Sequence, residues 1–214
     1  MNPYILLIGP PGAGKGTQSK RIAEKYDITH ITTGDALRAH KDMETEYGTP
    51  REYMDQGELV PDPVVNEIVK VEIEEADGFV LDGYPRNLSQ AEYLESLIDL
   101  DVVVHLTIDD ETVIERQTGR RVCSECGETY HVEFNPPETE GVCDTCGGEL
   151  IQRSDSDEET VRERLRVYKE ETKPVIDFYR NRTDVVTING EQNIEAVWED
   201  IQEAIETNVE EKCD

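Results

Sequence analysis

The chain has 214 residues, 49 acidic against 21 basic, for a formal charge of −28. That length allows one well-filled core with one or two small inserted subdomains, and that charge excludes a surface built to hold nucleic acid or anionic lipid heads. Eight lysines against thirteen arginines leave little positive charge for the exterior, so a carboxylate-covered protein of a salt-rich cytoplasm is expected, where self-repulsion is screened. No stretch approaches ~18 consecutive apolar residues, and the opening strand lacks a basic leader and a cleavage site; the expected location is cytoplasmic, with no membrane partner.

Tyr4-Ile5-Leu6-Leu7-Ile8 reads as a buried strand, Gly9 to Thr17 as a glycine-rich turn, and Gln18 to Ala23 as a helix. Strand, glycines and helix N-terminus in that order make an anion cradle from the backbone amides of Gly12, Ala13, Gly14, Lys15, Gly16 and Thr17, with Lys15 as a mobile charge for phosphates. The P-loop template Gly-x4-Gly-Lys is met, but Gly16 stands where a hydroxyl is usual and Thr17 follows one place later.

Ile28 to Ile31 reads as a second strand ending in a turn at Thr33-Gly34-Asp35, and Ala36 to Met54 as two short helices broken around Gly48-Thr49-Pro50. Val64, Val65, Ile68, Val69 and Ile73 recur at helical spacing after Pro61-Asp62-Pro63, which makes them core. Phe79-Val80-Leu81 is a strand opening onto Asp82-Gly83-Tyr84-Pro85-Arg86, so these polar residues stand at its carboxyl end, where open α/β sheets bind ligands. Asp82 suits Mg²⁺ held through water. Val102 to Ile108 is a fourth strand, with His105 a satisfied core or edge residue and not a catalyst; a helix over Glu111 to Thr118 delivers Arg116 and then Gly119-Arg120-Arg121. Thr129 to Phe134 reads as a strand, with His131 a strand residue. Asp157 to about Glu171 is a helix ended or kinked at Pro174, Val185 to Ile188 a fifth strand, and Ile194, Val197, Trp198, Ile201 and Ile205 the core stripe of a last helix.

Cys123-x2-Cys126 and Cys143-x2-Cys146 have the spacing of a four-thiolate zinc site. Such a closed site has no open position for chemistry, so the zinc is expected to be structural, supplying folding free energy to a segment too small for a core. Cys213 is expected to be a free thiol without a role.

The form Gly-x-Pro-Gly-x-Gly-Lys-Gly-Thr resembles the opening of adenylate kinases and related nucleoside monophosphate kinases. Thr33-Gly34-Asp35-Ala36-Leu37-Arg38, Asp82-Gly83-Tyr84-Pro85-Arg86 with Gln90, and Gly119-Arg120-Arg121-Val122 extend the resemblance over almost the whole chain. It implies a five-stranded parallel P-loop kinase sheet (1–31, 62–118 and 157–214), an inserted helical monophosphate-binding domain (32–61) and a zinc-binding lid (119–156). It implies an ATP:AMP phosphotransferase producing ADP, monomeric, with Mg²⁺ on the ATP. The donor is then held by the cradle, Arg116, Arg120, Thr129, Tyr130 and Gln192. The acceptor is held by Thr33, Arg38, Glu58, Leu59, Val60, Gly83, Tyr84, Pro85, Arg86 and Gln90, with Gln90 reading adenine through a paired donor and acceptor. Lys15, Arg86, Arg120, Arg153 and Arg164 match the cations around the moving phosphoryl group, with Asp82 and Asp155 the carboxylates; Arg153 and Arg164 also face the acceptor. Many relatives have two adjacent aspartates where this chain has Asp155-Ser156. Gly119 and the region near Asp155 are expected to hinge the lid. The rival readings are another nucleotide pair on the same fold, and a zinc-ribbon module that binds nucleic acid, which the charge opposes.

Overall fold

The computed structural model describes residues 2–211 apart from 57 and 154; the expectation for Cys213 lies outside the described residues. Strands β1 (Tyr4–Ile8), β2 (Thr29–Thr32), β3 (Phe79–Asp82) and β4 (Val102–Thr107) join β8 (Val185–Asn189) in one sheet of order β2-β3-β1-β4-β8. Every pairing in it is parallel; Leu6, at the centre, lies opposite Leu81 on one side and Val103 on the other. A strand flanked on both sides by parallel neighbours must be apolar on both faces, and Ile5, Leu6 and Leu7 are buried accordingly.

Side chains alternate across the sheet into two cores. Leu6, Ile8, Phe79, Leu81 and Val103 pack with α4 (Asp62–Glu75), α5 (Leu88–Leu97) and α8 (Lys173–Tyr179), while Ile5, Leu7, Val80, Val102 and Val104 pack with α1 (Lys15–Tyr26) and α9 (Ile194–Glu211). Most of the shorter helices start on side chains that accept an otherwise unpaired amide: Thr32 caps α2 (Thr33–Ala39), Asn87 caps α5, Asp109 caps α6 (Asp110–Thr118) and Asp157 caps α7 (Glu158–Val167). Thr49 and Glu52 form a reciprocal capping box on α3 (Pro50–Met54). Residues 119–156 carry a separate antiparallel sheet, β6-β5-β7, of Arg120–Cys123 (β5), Thr129–His131 (β6) and Leu150–Ile151 (β7).

The structure corrects five expectations. Thr33-Gly34-Asp35 is the first turn of α2 and not a turn before it, because the Thr32 hydroxyl caps the Asp35 amide. The strand from Thr129 stops at His131, whose Nδ1 accepts from the amides of Glu133 and Phe134 and bends the chain. Of the two expectations for Pro174 the ending fails: a π turn over Tyr168–Thr172 breaks the register just before it and joins α7 to α8, and the changed hydrogen-bond register accommodates a residue without an N–H. Ile194 is 54% exposed rather than on the core stripe, and Trp198 is half-buried with the Arg21 guanidinium over its ring. His105 is a core residue but is satisfied on one side only: Nε2 lies 3.4 Å from the Tyr168 hydroxyl, and Nδ1 meets no partner among the described residues.

Candidate active site

At the carboxyl end of β1 the chain must turn sharply into α1. Gly14 caps that helix at φ +88°, a conformation in which any side chain would be strained. The first N–H to return into the helix is that of Gln18, to Gly14 O at 3.1 Å, so the amides of Lys15, Gly16 and Thr17 have no intrahelical acceptor and are available to an anion. The Lys15 ammonium folds back onto Gly9 O (2.7 Å) and Pro10 O (2.9 Å). Burial pushes it down to about 8; Asp82 opposes that shift, and Arg164, Arg86 and Arg120 add to it.

Asp82 ends the adjacent strand β3, with its Oδ2 directed at the Gly16 side of the cradle. An oxygen donor beside a phosphate cradle fits Mg²⁺ chemistry. His30 lies behind it, Nε2 at 3.8 Å from Asp82 Oδ2; the sequence reading missed this residue, whose only signal is its place next to the end of β2. Arg86 is held by three hydrogen bonds, and its charge is felt by its neighbours. Its N–H donates to Gln90 Oε1 (2.8 Å), its Nε donates to Gly83 O (2.8 Å), its carbonyl accepts from the Thr172 hydroxyl (2.8 Å), and burial together with Arg164 lowers its pKa against Asp82 and Asp62. Thr172 is a second residue missed in the sequence, delivered there by the π turn.

Two further cations, Arg153 and Arg164, meet at Asp155. Arg153 grips it through Nε and NH2 at 3.0 and 3.1 Å, and Arg164 NH1 reaches its Oδ2 at 3.0 Å. Arg120 donates to the Thr129 hydroxyl at 3.5 Å, its Nε is buried without a partner among the described residues, and burial followed by Arg153 lowers its pKa. Lys15, Arg86, Arg120, Arg153 and Arg164 thus converge within one electrostatic neighbourhood, in a chain of net charge −28. Such a cluster is stable only with anionic company, here Asp82 and Asp155.

The other candidates are placed less uniformly. Arg116 NH1 donates to Gly190 O at 2.8 Å, so it stands at the 189–192 turn beside the cradle; the Gln192 amide instead turns away to Asn189 O and Asp200 Oδ2. The Thr33 hydroxyl donates to Gly83 O at 2.7 Å, joining α2 to the loop after β3. Arg38 pairs with Asp35 and is exposed, and Leu59 is 92% exposed beside an exposed Glu58, while Val60 packs against the core. Tyr84 is buried with its hydroxyl on Asn66 Oδ1 (2.7 Å), which leaves only its backbone, with Gly83 and Pro85, to line a site. Tyr130 is also buried: its hydroxyl accepts from the Asp144 amide at 2.9 Å and lies 3.5 Å from Cys143 Sγ, which it helps draw down to about 6.

The Sγ atoms of Cys123, Cys126, Cys143 and Cys146 lie within 4.8 Å of one another, with Cys123 to Cys146 at 3.4 Å and Cys126 to Cys143 at 3.6 Å. A tetrahedral zinc with Zn–S of about 2.3 Å has sulfur–sulfur edges of about 3.8 Å, so the four thiols fit that ion. His131 stays outside the cluster; its ring lies over Gly119, where a β-carbon would fall 2.2 Å from Nε2, and stacks on Phe134.

A parallel P-loop sheet with an arginine-lined anion site at the carboxyl ends of its strands defines a phosphoryl-transfer enzyme acting on nucleotides. The family model for adenylate kinase matches residues 7–184. An adenylate kinase of Haloarcula marismortui is 59% identical over 212 residues, 97% of this chain and 98% of the relative. One of Halobacterium salinarum is 55% identical over 210 residues (96% and 97%), and one of Clostridioides difficile 50% identical over 210 residues (94% and 97%). The chain belongs to the adenylate kinase family.

Proposed function

We propose that the chain transfers the terminal phosphoryl group of ATP reversibly to AMP, giving two ADP, with the site residues described above in the roles that follow. The observation that carries this is the convergence of five cations on a P-loop whose helix amides are unpaired. The cradle amides and Lys15 hold the donor phosphates, with Arg116 and the 189–192 turn beside the donor base. The Gly83 to Arg86 loop, with Thr33 and Arg38, holds the acceptor phosphate, and Gln90 reads its base. Arg120, Arg153 and Arg164 surround the group in transit. Because the attacking atom is an already anionic phosphate oxygen, no general base is needed; placement, charge neutralisation and exclusion of water are the work of the protein.

Asp82 would hold Mg²⁺, which when bound with ATP neutralises donor phosphate charge. Zinc on the four cysteines would supply structure to the lid and no chemistry. Residues 119–156 act as that lid and 32–61 as the acceptor arm, on a core of 1–31, 62–118 and 157–214. Asp155 draws Arg153 and Arg164 together by accepting from both, a role that needs no second aspartate beside it. A monomer in the cytoplasm suits this cycle, as each chain carries a complete set of groups; among the described residues no helix is long and apolar enough to cross a membrane.

The test is ADP formation from ATP and a panel of nucleoside monophosphates in molar KCl with magnesium. The expected result is activity with AMP far above the others, and a Lys15→Met variant reduced in kcat by about 10²–10³-fold. Equal activity with a pyrimidine monophosphate overturns the acceptor assignment, and full activity in the variant overturns the cradle.

A further inference from the structure

Gln90, the proposed reader of the acceptor base, is 4% exposed and its amide is held on both sides. Oε1 accepts from the Arg86 N–H at 2.8 Å, and Nε2 donates to Asp62 Oδ1 at 2.6 Å. A backbone N–H can only donate and an ionised carboxylate can only accept. Turning the amide over would therefore set two donors and two acceptors face to face, so its orientation is unique.

The carboxylate is itself fixed. Asp62 Oδ2 accepts from Asn87 Nδ2 at 2.7 Å, and the orientation of Asn87 is set because its Oδ1 caps α5 by accepting the Gln90 N–H at 2.9 Å. Asp62, Asn87 and Gln90 thus close a ring between the first turns of α4 and α5. The donor and acceptor sense of that ring follows from two backbone N–H groups and one carboxylate.

We propose that Asp62 is a specificity-determining residue: by clamping the Gln90 amide in one orientation, it makes the acceptor site read an adenine edge and refuse a 6-oxopurine edge. The inference rests on Gln90 reading the acceptor base. Once clamped, Gln90 retains one Nε2 hydrogen and one Oε1 lone pair, in fixed order. Adenine offers an acceptor at N1 and a donor at its 6-amino group, whereas hypoxanthine and guanine offer a donor at N1 and an acceptor at O6. A free amide pairs with either base by turning over; a clamped one pairs with one of them. Asp62 touches no substrate and acts through Gln90.

Asp62→Asn reverses the ring. Asn87 Nδ2 still requires an acceptor, so the new amide gives it Oδ1 and presents its NH2 to Gln90, which meets that donor with Oε1. The Arg86 N–H opposes the reversal, so discrimination should weaken without inverting. Initial rates with AMP and IMP measure this directly, since the two nucleotides differ only at that edge. The wild-type chain is expected to prefer AMP, and Asp62→Asn to lower the AMP-to-IMP ratio of kcat/KM by at least about tenfold, through the acceptor KM and with the ATP KM unmoved. Asn87→Ser, which keeps a capping hydroxyl but releases Asp62 Oδ2, should shift the ratio the same way by about threefold and covers the case in which the first variant fails to fold. An unchanged ratio in whichever variant folds overturns the clamp. Gln90→Leu separates the two ideas: if that variant keeps the wild-type preference, it is the assignment of Gln90 as reader that fails.

Discussion

Around the central sheet, side chains from both faces of β1, β3, β4 and β8 enter two apolar clusters closed by helices, whereas the buried cluster of the 119–156 segment consists of Cys123, Tyr130, Cys143 and Leu150. Half of that second cluster is thiol. A core of the first kind is stabilised by apolar area removed from water. The second offers little apolar area to three short strands, and its four thiols lie where they could hold a metal ion that adds folding free energy. Within one chain, the part that carries the cradle is closed by apolar packing and the part that carries Arg120 and Arg153 by a cluster of thiols.

The largest effect that would sharpen this contrast is in the sheet. Phe79, fully buried between the helices, should cost about 3–5 kcal/mol on replacement by Ala and lower the midpoint of the whole unfolding transition. Stripping metal with a chelator should instead abolish amide exchange protection in 119–156 and leave the sheet protected. A chelator that melts both parts together, or neither, breaks the comparison.

A smaller effect comes from His105, whose pKa burial pushes down to about 4, with Arg180 and Lys173 adding to the shift. The unfolded chain, with an ordinary histidine near 6.5, binds more protons than the folded one between these values. Stability therefore rises with pH across that window, is fully present above it, and is lost as pH falls towards 4, by up to about 3 kcal/mol. Urea unfolding at pH 4.5 and pH 7 should show a pH difference in the wild type that shrinks in His105→Leu. A parallel loss in both chains would place the acid sensitivity elsewhere. Smallest of the three, Gly119→Ala would push a β-carbon into the His131 ring and should cost about 1–3 kcal/mol. Hydrogen exchange should report that cost in 119–156 and not in the sheet.

The inner strands β1, β3 and β4 were legible in the sequence because burial on both faces writes a strand as an apolar run, and because glycine, proline and aspartate mark the loops at the carboxyl ends. The cradle was legible because its chemistry sits within a few consecutive residues, and the four thiols because they fall in two Cys-x2-Cys pairs. What escaped is what depends on contacts between distant positions. Nothing near Thr172 announces that its hydroxyl will reach the Arg86 carbonyl, and Pro174 argued for a helix end or kink without showing that a π turn would carry the helix through. Tyr84 and Tyr130 stand in stretches that the motifs marked, but their rings went to packing. His131 offered a strand pattern, and only the fold shows its ring lying over Gly119. Thr49-x-x-Glu52 with Pro50 is a helix start that could have been read directly.

The placing of the cations also bears on how fast a nucleotide arrives. ATP and AMP are anions approaching a polyanion, and the attraction of Lys15, Arg86, Arg120, Arg153 and Arg164 is sunk at one end of the sheet while carboxylates cover the outside. At low ionic strength the distant repulsion reaches the nucleotide before the local attraction does. In molar salt, where charges are felt over only about 3 Å, an incoming nucleotide senses the arginines alone. Encounter should then quicken as salt is added, the reverse of the usual electrostatic steering, and the same surface charge that burdens the fold in dilute buffer ceases to guard the entrance.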